Sequence, residues 1–517
     1  MAKTKILWAD DEIDMLKPHI IFLEEKGYDV TAVNSGDEAL DLVNEEHFDI
    51  IFLDEQMPGM SGIETLENIK ARQPNIPIVM ITKSEEESIM EDAIGSNIAD
   101  YLIKPVKPSQ ILLSLKRNLE NKKLAGEKAT MSYQQQFREI SMQLQDRLDT
   151  KGWTSVYRKL VRWETELEKS DDSNITEILN MQKTEANNQF SKFYEDNYYD
   201  WLYGNSDDKP VMSHTAVKEK LFPVLEKNKK VFFLVIDNLR YDQWKAIEPL
   251  INEYFRTDND DLYYSILPSV TQYARNALFS GMMPLEIKKR YPQFWLDEHE
   301  EGSKNQFEDE LFGEQLKRYG KHVKYSYNKI LNLDAGKKLF ENISNLFHYD
   351  LNIIVYNFVD MLSHARTEME IIRELADDEA AYRSLMVSWF EHSSLFDIIK
   401  YLAGKDIQLV ITTDHGSIKV NNPVKIVGDK NVNTNLRYKF GKSLGYNPKE
   451  VFEMGDPEKF FLPRFNVSTR WVFTRTNDFF AYPNNFNYYS KYYKNTFQHG
   501  GISLEEILIP FATLSPK

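Results

Sequence analysis

The sequence predicts an α/β chain in three parts. A doubly wound parallel domain occupies residues 1–119, a middle helical bundle 120–220, and a second, larger α/β domain 221–517. Three observations carry that reading. Short apolar runs alternate with amphipathic stretches every 20–25 residues or so at the start of the chain, no strand pattern appears in the middle, and apolar strands resume at Val231. A length of 517 residues leaves room for about three ordinary domains, and an apolar content of 42% supplies their cores.

In the first part the runs KILWAD, YDVTAV, FDIIFLD, IPIVMIT and ADYLI read as five strands, with IDMLKPHIIFLEEK and GDEALDLVNEE among the crossover helices. Asp10 and Asp11 close the first strand, Asp54 the third and Thr82 the fourth, while Lys104 and Pro105 follow the fifth. In a doubly wound sheet those strand ends converge on one crevice. Three carboxylates crowded there repel one another unless a hard cation joins them, and an oxygen-rich, partly hydrated site suits Mg²⁺. The same cation offsets the charge of an incoming phosphoryl group while a carboxylate attacks phosphorus; the lysine adds a point charge and the threonine a hydrogen bond.

WADDE, LDEQMPGMSGIE, MITKSE and ADYLIKP resemble the response-regulator receiver family across residues 1–119. The resemblance implies that Asp54 is the phospho-acceptor, that Asp10 and Asp11 hold Mg²⁺ with it, and that Thr82, Tyr101 and Lys104 respond to phosphorylation. It also implies a sensor histidine kinase as partner and a homodimer on phosphorylation.

The middle part is polar and helical: MQLQDRLD, WTSVYRKLVRWETELEK and NQFSKFYEDNYYDWLY space their Leu, Phe, Tyr and Trp among Gln, Glu and Lys. Breaks are expected near Lys151-Gly152 and at SDDSN. A spacer or protein-interaction role is the expectation, because the slight acidity of this region disfavours a helix-turn-helix.

In the third part VFFLVID, LNIIVYNFVD and IQLVITTD read as strands that each end in aspartate: Asp237, Asp360 and Asp414, the last followed by His415. His364 lies four residues after Asp360, so a helix beginning there puts both on one face. His499 stands in QHGGIS, where glycines admit close backbone approach. Six ligand-type residues at the ends of apolar strands point to a metal centre. Thr271, in LPSVTQYARNALFSG, stands where a loop meets a helix, either as an N-cap or as a nucleophile whose alkoxide the helix end favours. A zinc ion could activate that hydroxyl, with a second stabilising the leaving oxygen. The histidines favour Zn²⁺, with Mn²⁺ the alternative.

VIDNLR, SVT, DMLSH, TTDHG and QHGG resemble, in order, the alkaline phosphatase superfamily. That implies Asp360, His364 and His499 on one metal, Asp237, Asp414 and His415 on the other, and Thr271 as nucleophile and bridging ligand. The three parts together resemble the PglZ-domain response regulators of type IX secretion. This implies a phosphodiesterase acting on short or cyclic oligonucleotides and a link to an extracytoplasmic-function sigma factor. Phosphorylation at Asp54 would then reposition the hydrolase through the helical bundle.

Two other readings stay open. The C-terminal domain could be a metal-stabilised module that binds the sigma factor with little catalysis. It could also act on monoesters, which call for an added cation; Arg275, one helical turn past Thr271, is either that cation or a surface residue. Asn238, Tyr273 and Asn276 are further candidates for substrate oxygens. The aromatic stretch 479–497 is either a base-stacking platform or a core beneath surface loops.

Composition narrows the rest. There are no cysteines, which excludes thiolate metal sites, disulfides and cysteine catalysis. The net charge is -17, and residues 1–119 hold most of it, with 11 Lys and Arg against 23 Asp and Glu. Summed by domain there is no basic excess, so direct duplex DNA binding is disfavoured. No apolar run reaches the roughly 20 residues that span a bilayer, and MAKTKILWADDE does not read as a secretory signal. A cytoplasmic protein without membrane contact is the expectation.

Overall fold

A computed structural model of the chain describes residues 4–73, 76–83, 98–168, 173–227, 230–369, 372, 376, 378–428 and 432–517. They fall into two compact units, the first running to Gln134 and the second made of Gln135–Glu168 and Ser173–Lys517.

The first unit is built on β1 (Lys5–Ala9), β2 (Asp29–Val33), β3 (Ile50–Asp54), β4 (Ile78–Thr82) and β5 (Asp100–Ile103), all parallel in the order β2-β1-β3-β4-β5. Strand alternation sends Leu7, Ala9, Ile51 and Leu53 to one face, where Ala39, Val43, Leu66 and Ile69 of two helices cover them. Ile6, Trp8, Ile50 and Phe52 go to the other face, against Leu23, Ile111 and Leu115. Both faces are dry, so the strands read as unbroken apolar runs. The order reverses between β1 and β3, which opens the crevice beside Asp10 and Asp54.

The second unit holds a six-stranded sheet. β6 (Val231–Ile236), β8 (Tyr325–Ile330), β9 (Leu351–Tyr356) and β10 (Gln408–Thr412) run parallel. β18 (Leu508–Pro516) lies antiparallel to both β10 and β7 (Phe255–Tyr264), giving the order β7-β18-β10-β6-β9-β8. Between β10 and β18 the chain adds short strands: β11 (Ile418–Lys419), β12 (Asn422–Lys425), β13 (Tyr438–Gly441), β14 (Phe452–Met454), β15 (Arg470–Phe473), β16 (Asp478–Ala481) and β17 (Phe497–Gln498). They form three small sheets, β11-β17, β12-β16 and β13-β15-β14.

The architecture follows the sequence reading: a parallel receiver-like sheet, a helical middle and a large α/β domain. Three details differ, and one expectation falls mostly outside the described residues. The expected break at Lys151-Gly152 lies just upstream, because Asp149 caps the helix Thr150–Leu167 by accepting from the Gly152 amide at 2.7 Å. The other expected break, SDDSN, falls mostly outside the described residues; a helix begins at Ser173. β9 ends at Tyr356, so Asp360 stands in the first turn of the helix Phe358–Glu368 rather than on the strand. The middle helices also share a core with the C-terminal part: Tyr194 donates to the Ser265 carbonyl at 2.9 Å, and the Leu267 amide donates to Tyr198 at 3.1 Å.

Gly416 marks how tightly that unit closes. A Cβ there would run into the backbone carbonyl of Glu505, and neither backbone can yield. Gly416→Ala is expected to cost about 1–3 kcal/mol, read by calorimetry as a thermal midpoint lower by a few degrees. An unchanged midpoint would contradict the packing at Gly416.

Candidate active site

At the first crevice Asp10 and Asp54 are buried and Asp11 is exposed, and one oxygen from each lies within 4.8 Å of the others. Lys104 bridges the two buried ones, its Nζ 2.8 Å from Asp10 Oδ2 and 3.0 Å from Asp54 Oδ1. Burial pushes the Asp54 carboxyl up to about 6, Lys104 opposing and the neighbouring Asp10 reinforcing the shift. Burial works against the charge on Lys104 too, but hydrogen bonds to Asp10 and Asp54 hold its pKa above the ordinary lysine value. Thr82 is buried at the end of β4 and its hydroxyl donates to Glu55. Tyr101 lies on β5, packed beside the Leu7–Leu53 face of the core. Three clustered oxygens and one lysine fit a hard divalent cation.

In the second unit three adjacent strands deliver three acids. Asp414 follows β10, Asp237 follows β6, and Asp360 stands one helix turn beyond β9. Thr412 pairs with Val235, so the next residues keep Asp414 level with Asp237. Ligand atoms of Asp237, Asp414 and His415 lie within 4.8 Å of one another, all buried. Thr271 is the first residue of the helix Thr271–Ser280, behind an N-cap at Val270, so its hydroxyl is not used as a cap. That hydroxyl lies 3.3 Å from Asp237 Oδ1 and 3.0 Å from His415 Nε2. His415 Nδ1 is 3.1 Å from the Gly416 carbonyl, which accepts a hydrogen bond from Nδ1–H and leaves the Nε2 lone pair facing Thr271.

The remaining residues stand beside this cluster. His499 Nε2 is 3.5 Å from Asp360 Oδ1, and the His415 and His499 rings stack with centroids 4.5 Å apart. His364 lies on the helix with Asp360, one turn on; its side chain is outside the described residues. Asn238 adopts a left-handed backbone at φ 63°, which asparagine tolerates, and donates to Asp360 at 3.3 Å.

Burial raises the pKa of Asp414 far above the carboxylate range, with Asp237 adding repulsion and Arg275 opposing. Burial likewise raises Asp237 against Arg275, and lowers His415 so that its imidazole is neutral, with His499 reinforcing. Asp414 Oδ2 is buried with no hydrogen-bond donor. Two carboxylates, a neutral imidazole and a hydroxyl, with an orphaned buried oxygen among them, form a donor set that a divalent cation of the Zn²⁺ or Mn²⁺ type fits.

Three candidate substrate contacts lie inside the protein. Arg275, a surface residue in one reading, is only 1% exposed; its Nη1 is 2.8 Å from Asp237 Oδ2 and its Nε 2.6 Å from Glu308 Oε1. Asn276 donates to the Lys304 carbonyl at 3.0 Å, and Tyr273 donates to Glu298 at 2.9 Å. Thr413 and Glu308 escaped the sequence reading. Thr413 Oγ1 accepts from the Leu239 amide at 3.0 Å and donates to the His415 carbonyl at 2.9 Å, tying the loops after β6 and β10 together. Its place beside Asp414 in TTDHG was the available signal. Glu308 had none.

A receiver-like sheet followed by an α/β domain with a buried cluster of acids, histidine and threonine points to a two-component regulator with a phosphoesterase-like output domain. The comparisons agree. Residues 216–514 match the BREX system PglZ alkaline phosphatase-like domain, 123–202 the PorX response regulator linker domain, and 6–116 the response regulator receiver domain. The chain belongs to the PglZ alkaline phosphatase-like family and has a PorX-like architecture. Among curated relatives, the alginate biosynthesis transcriptional regulatory protein AlgB of Pseudomonas syringae is 33% identical over 122 residues, 24% of this chain and 27% of that protein. The transcriptional regulatory protein ResD of Bacillus subtilis is 34% identical over 114 residues, 22% of this chain and 47% of that protein. The chain thus spans about a quarter to a half of the length of these relatives. Among solved structures, the chemotaxis protein CheY4 of Vibrio cholerae aligns at 29% identity and a TM-score of 0.22, covering 23% of this chain and all of that one. Among the described residues no helix is long and apolar enough to cross a membrane.

The balance around Asp237 makes a prediction. Arg275→Met removes the cation from Asp237 and leaves Glu308 to Lys329, 3.1 Å away, at a cost of about 3–5 kcal/mol. The loss of thermal midpoint is expected to be larger in chelator than with Zn²⁺ or Mn²⁺ added, since a bound cation would offset the same carboxylates. Equal losses in both would mean that no cation binds beside Asp237.

Proposed function

We propose that the chain is a response regulator whose C-terminal domain is a metal-dependent phosphodiesterase, with Thr271 as nucleophile, controlled by phosphorylation at Asp54. The observation that carries this reading is the Thr271 hydroxyl, at a helix N-terminus and within hydrogen-bond reach of both Asp237 and His415. Asp237 and His415 hold the hydroxyl in place, and Asp237 Oδ1 can accept its hydrogen as Oγ1 bonds to phosphorus and the ester oxygen leaves. The helix N-terminus favours the negative phosphoryl group that Thr271 then carries. Asp237, Asp414, His415 and Thr271 would hold one divalent ion, and Asp360, His364 and His499 the second. The chemistry such ions supply when bound is activation of the hydroxyl and relief of charge on the phosphoryl and leaving oxygens.

Diesters are favoured over monoesters on the position of Arg275. A monoester brings an extra charge that calls for a free cation, and this arginine is committed to Asp237 and Glu308. Short or cyclic oligonucleotides are the substrate class we assign, with type IX secretion genes as the regulatory target and a sigma factor as a partner. In the receiver, Asp10, Asp11 and Asp54 would hold Mg²⁺ while Asp54 attacks the phosphodonor, a histidine kinase. Thr82 and Tyr101 would report the change by promoting a homodimer.

Two experiments test this. Bis-p-nitrophenyl phosphate should turn over faster than p-nitrophenyl phosphate, with Zn²⁺ or Mn²⁺ required and Thr271→Ala reduced to the background rate. Turnover that survives Thr271→Ala removes the nucleophile assignment. Silence on both substrates with two metals bound per chain would favour the protein-interaction module. Separately, Asp54→Asn should abolish incorporation of phosphate from acetyl phosphate with Mg²⁺; undiminished incorporation would place the acceptor elsewhere.

A further inference from the structure

The domain sum of charge hides a local reversal. Residues 416–498, inserted between His415 and His499, carry 13 Lys and Arg against 6 Asp and Glu in a chain of net charge -17. The same stretch holds 18 of the chain's Phe, Trp and Tyr residues, and from Phe479 to Gln498 it contains no acidic residue at all. A cationic, aromatic insert that starts and ends at two candidate metal ligands calls for an anionic ligand with flat apolar faces.

The aromatic residues are of two kinds. Phe479 and Phe480 on β16 are buried, as a core reading expects. The helix Phe486–Tyr493 buries none of its residues. Its inner edge, Phe486 and Tyr493, packs on Ile418, Val420 and Ala481. Tyrosines at helical spacing lead from that edge to the outer side: Tyr488 stacks on Tyr492 with centroids 6.0 Å apart, and Tyr489 stacks on the inner Tyr493 at 6.1 Å. Tyr488 is 63% exposed and Tyr489 37%. Large exposed rings in a preformed stack are costly to leave against water.

Charge surrounds the stack. Lys425 sits 5.0 Å from the Phe486 ring centroid. Lys491 and Lys494 are exposed, and among the described residues neither is ion-paired with a carboxylate. By contrast Arg437 is buried and spent on Glu506, 2.6 Å away, and is closed to a ligand. The helix is also tied to the candidate active site. It packs on the ribbon β11-β17, in which Ile418 pairs with Gln498, three residues after His415 and one before His499.

We propose that the outer face of the helix Phe486–Tyr493 binds single-stranded oligonucleotide. Tyr488 and Tyr489 stack on bases while Lys491, Lys494 and Lys425 meet phosphates, and the strand is held where it can run along the ribbon toward Thr271. Stacking on open rings, backed by cations that follow the phosphates, is the general chemistry of sequence-tolerant single-strand binding. The inference rests on the oligonucleotide reading above and adds a subsite to it.

The test is fluorescence anisotropy of a fluorescein-labelled hexaadenylate RNA with the full chain, in a Thr271→Ala background so that the probe stays intact. Tyr488→Ala with Tyr489→Ala should weaken binding about tenfold or more, while Tyr488→Phe with Tyr489→Phe stays within about twofold of the parent. Lys491→Glu with Lys494→Glu should weaken binding and flatten its salt dependence. An abasic oligomer of the same length should bind weakly and be indifferent to the tyrosine changes. Binding unaltered by the alanine pair, an abasic oligomer held as tightly as the RNA, or no RNA binding at all would each overturn the platform. Bis-p-nitrophenyl phosphate has no base, so its turnover by the Thr271 chain separates the two ideas. If it is not turned over while the RNA still needs Tyr488 and Tyr489, the hydrolase reading fails and the platform stands.

Discussion

Everything that gives this chain chemistry depends on carboxylates held buried beside a fixed cation. In the first unit Lys104 lies between Asp10 and Asp54, and in the second Arg275 lies between Asp237 and Glu308. Burying one carboxylate costs several kcal/mol unless it is paired, and burying two together adds their repulsion. A single lysine or arginine brings the cost within reach of an ordinary core. It does not neutralise the set, and Asp414 Oδ2 is left without a donor. An unpaired carboxyl group in a preformed pocket is what a divalent cation would take over, displacing the proton that burial otherwise keeps there.

The sheets make that crowding affordable in geometry. Parallel strands begin and end at matching levels, so residues just past β10, β6 and β9 are neighbours although more than a hundred residues can separate them in sequence. The rest of the pocket is brought in from the side. Thr271 arrives on a helix that follows β7, and His499 on the short ribbon that precedes β18. Small contacts then fix the loops: Thr413 ties the Leu239 amide to the His415 carbonyl, and Gly416 lets the backbone at Glu505 come close.

Much of this was legible in the sequence because buried parallel strands are unbroken apolar runs, and the acids that follow them stand out. VFFLVID and IQLVITTD read directly as β6 with Asp237 and β10 with Asp414. The strands that escaped have the opposite character. β7, FRTDNDDLYY, is polar along most of its length because it is an edge strand, and β8, YSYNKI, lies half-covered at the other edge. β18 contains Pro510, which usually argues against an interior strand; here its carbonyl accepts from Thr412 Oγ1 at 2.7 Å while the chain pairs on both sides. Arg275 and Glu308 were invisible as a pair because they lie 33 residues apart and meet only in the folded core. The tyrosine helix was ambiguous for a related reason. FNYYSKYY is rich enough in aromatic residues for a core, and only the packing of Phe486 and Tyr493 decides which side faces inward.

The middle helices, which match a response regulator linker domain, are also packed into the second unit. A polar, slightly acidic helical stretch reads as a spacer or an interaction element, and two of its charged side chains, Glu164 and Lys183, turn inward in the second unit. Lys183 Nζ lies 2.7 Å from Glu164 and 3.1 Å from Glu379, and Arg383 Nη1 lies 3.0 Å from Glu164. Arg383 also meets Asp242, whose other partner is Arg240, 2.9 Å away. Arg240 in turn lies 4.9 Å from the Phe497 ring centroid and packs beside Gly416, so it touches the approaches to both His499 and His415. Such a network has few acceptable arrangements, because moving one member strands the next as an unpaired buried charge. The loops that carry Asp237, His415 and His499 are therefore held in one register with the helices Thr150–Leu167 and Ser173–Tyr203. A shift of those helices cannot be absorbed by solvent, as it would be at a surface salt bridge, and must be met by the loops themselves.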